Sequence, residues 1–231
     1  MRVLHVYNRH RGLGGSEVVL AQTCQALRTA GVTVDEFVRD SKSLSPGIRG
    51  KLRAFAGGLY AHEAVQAFSD RLKFARYDVV HVHELYPLIS PWILPQATAA
   101  GVPIVMSAYD FRLSCPIATH NSPKGACFRC VGGNEHWCVI RNCRQQWAES
   151  IAFAVRNASA RKFGLFENHV ARLAVCSNFQ RRFFTEKLGL LAERQVTVGV
   201  WSLRPIRLSL TRRRARTLLS PVASFPRKGL I

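Results

Sequence analysis

Gly12-Leu-Gly-Gly-Ser16 is the first segment whose residue types suit chemistry. Glycines let backbone N–H groups approach an anion, and a helix opening there adds the positive end of its dipole, so the segment predicts a phosphate site. Arg9, His10 and Arg11 stand just before it, and cations there would neutralise a phosphorylated ligand, with Arg9 and Arg11 as charge support. The dinucleotide pattern G-x-G-x-x-G is not met. Counting from Gly12, the third glycine position is Glu17, which would crowd and repel a pyrophosphate. No Gly-Lys-Ser/Thr follows, so a P-loop is absent as well. A plain glycine turn joining a strand to a helix stays open as the simpler alternative.

Cysteine supplies the second chemical grouping. Cys127-Phe-Arg-Cys130, then Cys138 and Cys143, could give four tetrahedral ligands to a structural zinc, with Cys115, His120 and His136 close by. Zinc–thiolate bonds would pin an irregular loop beside a cleft, a structural and not a catalytic role. Reduced packing cysteines, or disulfides, remain open. Cys24 and Cys176 fall in a predicted helix and strand and read as core. His81 and His83 alternate with valines on a predicted strand, so both point to one face. Glu84 is the one acid at ligand spacing, and the simpler reading puts one histidine at a cleft and the other, like His5, in the core.

These residues need elements to position them. Arg2 to Tyr7 reads as a buried strand, Ser16 to Ala30 as a helix capped by Ser16 and ended by Gly31, and Val32 to Val38 as a second strand. A Ser/Pro/Gly linker (41–50) leads to a helical stretch from Leu52 to Phe74. Tyr77 to His83 is a strand, Ser90 to Ala100 a helix, and Val102 to Ser107 a strand. After an irregular insertion, 115–143, the pattern gives a long helix from Gln145 to Val170, a strand at Leu173 to Ser177 and an amphipathic helix to about Leu188. Such alternation predicts an α/β, doubly wound parallel sheet, a Rossmann-like fold that places ligands at the C-terminal ends of its strands.

Composition bounds the partners. With 231 residues, 48% of them hydrophobic and 20% charged, the chain can bury a core, which excludes disordered and collagen-like classes. Its 33 Lys+Arg against 14 Asp+Glu give a net charge of +19, which predicts attraction to polyanions. Eight of those cations lie in 199–231, where no acid occurs and no period is sustained. That segment reads as a basic, disordered tail. Nonspecific nucleic-acid binding through charge follows from it, whereas Trp201 and Phe225 are too few aromatics for stacking recognition. No run long enough to span a bilayer and no signal peptide is found, so a cytoplasmic location is expected.

With these segments in order, the sequence resembles the N-terminal, acceptor domain of family 4 glycosyltransferases. The resemblance rests on the strand and Gly14-Gly15 with Glu17 after it, on Tyr77-Asp-Val-Val-His-Val-His83, and on Val102-Pro-Ile-Val-Met-Ser-Ala-Tyr-Asp110. Cys115-Pro116 before the cysteine cluster and Val175-Cys-Ser177 extend it to about Val198. The resemblance implies one half of a two-domain GT-B fold and retaining transfer from a nucleotide-sugar to a lipid-linked or saccharide acceptor, with no cofactor required for catalysis. It assigns Gly14 and Gly15 to the donor diphosphate, and Tyr109 and Asp110 to the catalytic cleft. The residue before that Asp is usually histidine in the family. Tyr109 can donate a hydrogen bond but does not share a proton near neutral pH as histidine does.

The family's second domain, which carries most donor contacts, has no counterpart in 199–231. Gln195-Val-Thr-Val198 looks like the strand leading to it, and the arginine-rich segment then replaces the usual turn. Domains 1–198 and 199–231 are therefore expected, with a reading frame lost near Val198 and a chain silent by itself. The alternatives are a non-catalytic binding module or a subunit that pairs with a separate donor-domain chain. Peripheral membrane contact through the basic surface is compatible with a lipid-linked acceptor.

Overall fold

The computed structural model describes residues 1–198 apart from positions 13 and 191, so the expected basic tail lies outside the described residues. In chain order the elements are β1 (Arg2–Arg9), α1 (Gly15–Thr29), β2 (Thr33–Asp40), α2 (Ile48–Leu59), α3 (His62–Phe74), β3 (Val79–Glu84), α4 (Ile93–Ala99) and β4 (Ile104–Ala108). There follow β5 (Asn121–Ser122), β6 (Gly125–Ala126), α5 (His136–Ile140), α6 (Trp147–Lys162), β7 (Val170–Val175), α7 (Asn178–Leu188) and β8 (Gln195–Thr197). Six strands form one sheet in the order β2-β1-β3-β4-β7-β8, and every pairing is parallel. β5 and β6 form a separate small hairpin in the insertion.

Alternation along the strands sorts side chains to two faces. Leu4, Val6, Val80, Val82, Ile104 and Met106 share the main core with Phe68, Ile89, Leu94 and Phe184. Burying each such side chain contributes about 1.5–3 kcal/mol. On the opposite face α1 lays Leu20 and Cys24 against Tyr7, Val34 and Val38. His5, His81 and His83 alternate with the core residues and so lie on this α1 side. Among the described residues no helix is long and apolar enough to cross a membrane.

Several boundaries differ from the sequence reading. The stretch from Leu52 to Phe74 is two helices, because Tyr60 takes an extended backbone (φ −150°) after α2. Gly57 and Gly58 permit a close approach there. A Cβ at Gly57 would lie 2.7 Å from the Pro87 carbonyl oxygen, and one at Gly58 3.3 Å from Arg156 Cδ. The long helix expected to reach Val170 stops at Lys162, where Gly164 (φ +59°) reverses the chain and the Leu165 N–H donates to the Ala160 carbonyl at 3.0 Å. Ser16 does not cap α1: extended Gly14 holds that position, and Ser16 Oγ lies 3.5 Å from Tyr7 Oη.

Candidate functional site

The strand order reverses at β1, which lies between β2 and β3, so the crevice at their C-terminal ends is the topological switch point. β1 runs from there into Gly12 and Gly14, and α1 begins at Gly15. A Cβ at Gly12 or Gly15 would meet nothing within 4 Å, and one at Gly14 only Ser16 Oγ at 3.7 Å. None of the three has a positive φ. Backbone strain therefore does not explain these glycines. Their missing side chains leave open space above the N-terminus of a 15-residue helix, whose unpaired N–H groups and dipole favour an anion. Glu17 stands in the first turn, with Oε1 shielded and without a hydrogen-bond partner.

Across the crevice, β1 and β3 pair in register from Val3–Val79 to Val6–Val82, and then Tyr7 pairs with Glu84. His83 is the extra residue of this bulge, which re-aims its side chain. Its Nδ1 lies 2.6 Å from Tyr109 Oη and its Nε2 2.8 Å from His5 Nδ1. His81 Nε2 meets Ser107 Oγ at 2.9 Å. Burial holds His5 down at about 4 and His81 at about 3, and keeps His83 well below the ordinary imidazole value. All three rings are neutral at pH 7. Burial also raises the Tyr109 pKa, so its hydroxyl stays protonated and serves as a neutral hydrogen-bonding group.

Beyond Tyr109 the site is ionic. Asp110 accepts a bidentate pair from Arg112, Nε at 3.0 Å to Oδ1 and Nη2 at 2.5 Å to Oδ2, and Arg112 Nη1 lies 2.7 Å from Glu84 Oε2. Burial of Glu84 outweighs the attraction of Arg112 and pushes its carboxyl up to about 7. His10 Nε2 stands 4.0 Å from the same carboxylate. Glu84, Arg112 and His10 thus join Asp110 in one cluster; the sequence reading names His10 as a cation beside the loop and Glu84 only as an acid near the histidines, and does not name Arg112. The signal for Arg112 was its place two residues after Asp110. Its link to Glu84 required knowing that β3 and β4 are neighbours.

Arg9 and Arg11 flank the loop on the β2 side. Arg9 faces Asp40 at 3.9 Å, and Arg11 donates to the carbonyls of Leu44 (2.7 Å) and Ser41 (3.4 Å). Arg11 thereby ties the glycine loop to the segment after β2. Two cavities meet at Met106, Arg112 and Leu113: a small one beneath Tyr109 and Asp110, and a larger, mainly apolar one reaching Phe166, Leu173 and Leu190 under the insertion.

The insertion gathers its cysteines. Cys130 and Cys138 are buried in one apolar cluster with Ile117, Trp137, Ala154 and Cys143. Burial, followed by the neighbouring thiols, pushes both Cys130 and Cys138 up to about 12. Among the described residues no three of these sulfurs lie within 4.8 Å of one another, so the thiols are neighbours without forming a closed cage. Both nitrogens of His120 are engaged, with Ser114 Oγ and the Cys127 carbonyl at 2.8 Å each, which makes it a pin for the loop. Arg161 of α6 holds Glu135 in a bidentate pair at 2.8 and 3.1 Å. Cys24 is buried in α1, and Cys176 donates to the Ala108 carbonyl just past β7.

Comparison with known proteins bears on this arrangement. No curated protein matches the chain. A crystal structure of a glycosyltransferase from Rickettsia africae ESF-5 is similar at 12% identity and a TM-score of 0.45, over 86% of this chain. The present chain spans 42% of that one. The pattern of the glycosyl transferase 4-like domain matches residues 14–201, from the second glycine of the loop to just past β8. The chain therefore belongs to the glycosyl transferase 4-like family, and its parallel sheet is Rossmann-like.

Proposed function

We propose that this domain serves the transfer of a sugar from a nucleotide-sugar to an acceptor. The observation that carries the reading is the open space over Gly12, Gly14 and Gly15 at the N-terminus of α1, at the sheet's switch point, with His10 beside the loop 4.0 Å from Glu84, whose partner Arg112 also holds Asp110. In this reading the donor diphosphate rests on the N–H groups of Gly14 and Gly15, with Arg9 and Arg11 adding positive potential from the β2 side. Tyr109 and Asp110 face the sugar, Tyr109 as a neutral donor backed by His83, and Asp110 as an acceptor held rigid by Arg112. A second Rossmann-like domain, in the same or a separate polypeptide, closes the other side of the cleft.

The apolar lining of the larger cavity favours a lipid-linked acceptor over a free saccharide, and the basic surface suits contact with an anionic membrane. A structural zinc on Cys127, Cys130, Cys138 and Cys143 belongs to the same proposal. The donor set suits that ion, and binding would draw the sulfurs inward and lower thiol pKa values that burial now raises. Calorimetric titration with a panel of nucleoside-diphosphate sugars tests the central point. Saturable binding that persists in Gly15→Ala and vanishes in Gly15→Glu is expected, since a Cβ at position 15 meets nothing. Equal binding by Gly15→Glu, or indifference of the folded wild type to every sugar nucleotide, overturns the reading and leaves a non-catalytic binding module.

A further inference from the structure

Beneath the cleft, on the α1 side of the sheet, three imidazoles meet across two strands. His5 on β1 is paired in register with His81 on β3, and the bulge turns His83 toward both. Ring centroids are 4.1 Å apart for His81 and His83, 5.0 Å for His5 and His81, and 5.1 Å for His5 and His83. One nitrogen from each ring lies within 4.8 Å of the others. His5 is fully buried, and its Nε2 has no hydrogen-bond partner. The two nitrogens that face each other, His5 Nδ1 and His83 Nε2, share a single hydrogen bond at 2.8 Å, which an ion between them would replace.

We propose that His5, His81 and His83 form a binding site for one divalent transition ion of the zinc or cobalt type. The other nitrogens of two rings are already held as such a site requires. His83 Nδ1 is anchored by Tyr109 Oη and His81 Nε2 by Ser107 Oγ, leaving His83 Nε2 and His81 Nδ1 for the ion. Two imidazole nitrogens on one tetrahedral ion stand about 3.3 Å apart, given Zn–N bonds of about 2.0–2.1 Å. The 2.8 Å contact between His5 and His83 and the 4.8 Å outer limit bracket that spacing.

The acid paired with His5 across the sheet is Glu36, which is itself tied to Arg28 at 2.8 Å. An all-imidazole set therefore selects nitrogen-preferring ions over magnesium or calcium. His81 is half-buried, which admits a water as fourth ligand. The ion would fasten β1 to β3 below Tyr109 and hold the cleft floor. This role is independent of the sugar-transfer reading.

Cobalt titration of the whole chain, followed in the visible range, tests the proposal. Expected in Cys127→Ser/Cys130→Ser is one cobalt per chain, with d–d bands that lack thiolate charge transfer. His81→Gln, at the half-buried edge of the site, should weaken binding at least tenfold while leaving the far-ultraviolet circular dichroism unchanged. Ser107→Ala, which removes an outer anchor, should weaken it about tenfold. A folded Cys127→Ser/Cys130→Ser protein that binds no cobalt overturns the proposal. So do bands that survive in both His81→Gln and His5→Gln.

Discussion

Replacing Arg112 with Met removes the partner of two carboxylates at once, and the burial of each sets the cost. Asp110 is 29% exposed at its side chain, so water can replace the lost guanidinium. Glu84 is 7% exposed and sits 2.7 Å from Arg112, with Arg156 as the other cation that acts on it. Breaking a buried pair by removing one partner costs about 3–5 kcal/mol. Proton uptake by Glu84, already pushed up to about 7, relieves part of that cost. The expected destabilisation at pH 8 is therefore about 3 kcal/mol.

Adding Glu84→Gln removes the stranded charge, and the double variant should recover about 2 kcal/mol of that loss. Urea denaturation of wild type, both single variants and the double variant, with unchanged slopes, gives the coupling energy. A loss below about 1 kcal/mol in Arg112→Met, or additive effects in the double variant, would refute the claim that a buried ion pair fixes the cleft floor.

Three further outcomes follow from local geometry. Gly50→Ala should destabilise the protein despite alanine's helix preference of about 1 kcal/mol, because its Cβ would lie 1.8 Å from the Ser45 carbonyl oxygen; thermal denaturation reads the sign. Ser177→Ala should cost about 1 kcal/mol by removing the hydroxyl that accepts the Gln180 N–H at 3.1 Å, measured by the same method. Glu149 is held below the ordinary carboxylate value, chiefly by Lys51 at 3.0 Å and also by Arg144. Its contribution is present above the unfolded-state pKa and is lost as pH falls through the lower folded value. Lys51→Ala should flatten that acid limb by under about 1 kcal/mol, since the pair is largely exposed.

Much of the architecture was legible because the period of the apolar residues changes from strand to helix at each step. The glycine loop, β1, β3 and β4 could be placed from that pattern. The break between α2 and α3 could not, since apolar residues keep helical spacing through Tyr60 and the bend answers to packing against Pro87 and Arg156. His81 and His83 on one face followed from alternation alone. Their meeting with His5 depends on β1 lying beside β3 and on the bulge at His83, both of which are tertiary facts. The proximity of Glu84 to Arg112 has the same origin. Cysteine spacing pointed to a cluster, but what packs it is α6, through Ala154, some ten residues past the insertion's last cysteine.

The most direct test of the central claim is amide NMR of the nitrogen-15-labelled chain during titration with the nucleoside-diphosphate sugar that binds best. The account predicts the largest shifts at the N–H groups of Gly14, Gly15 and Ser16, with smaller ones at Tyr109, Asp110 and Arg112. Shifts confined to the larger cavity under the insertion, or none at the loop while binding saturates, would contradict it.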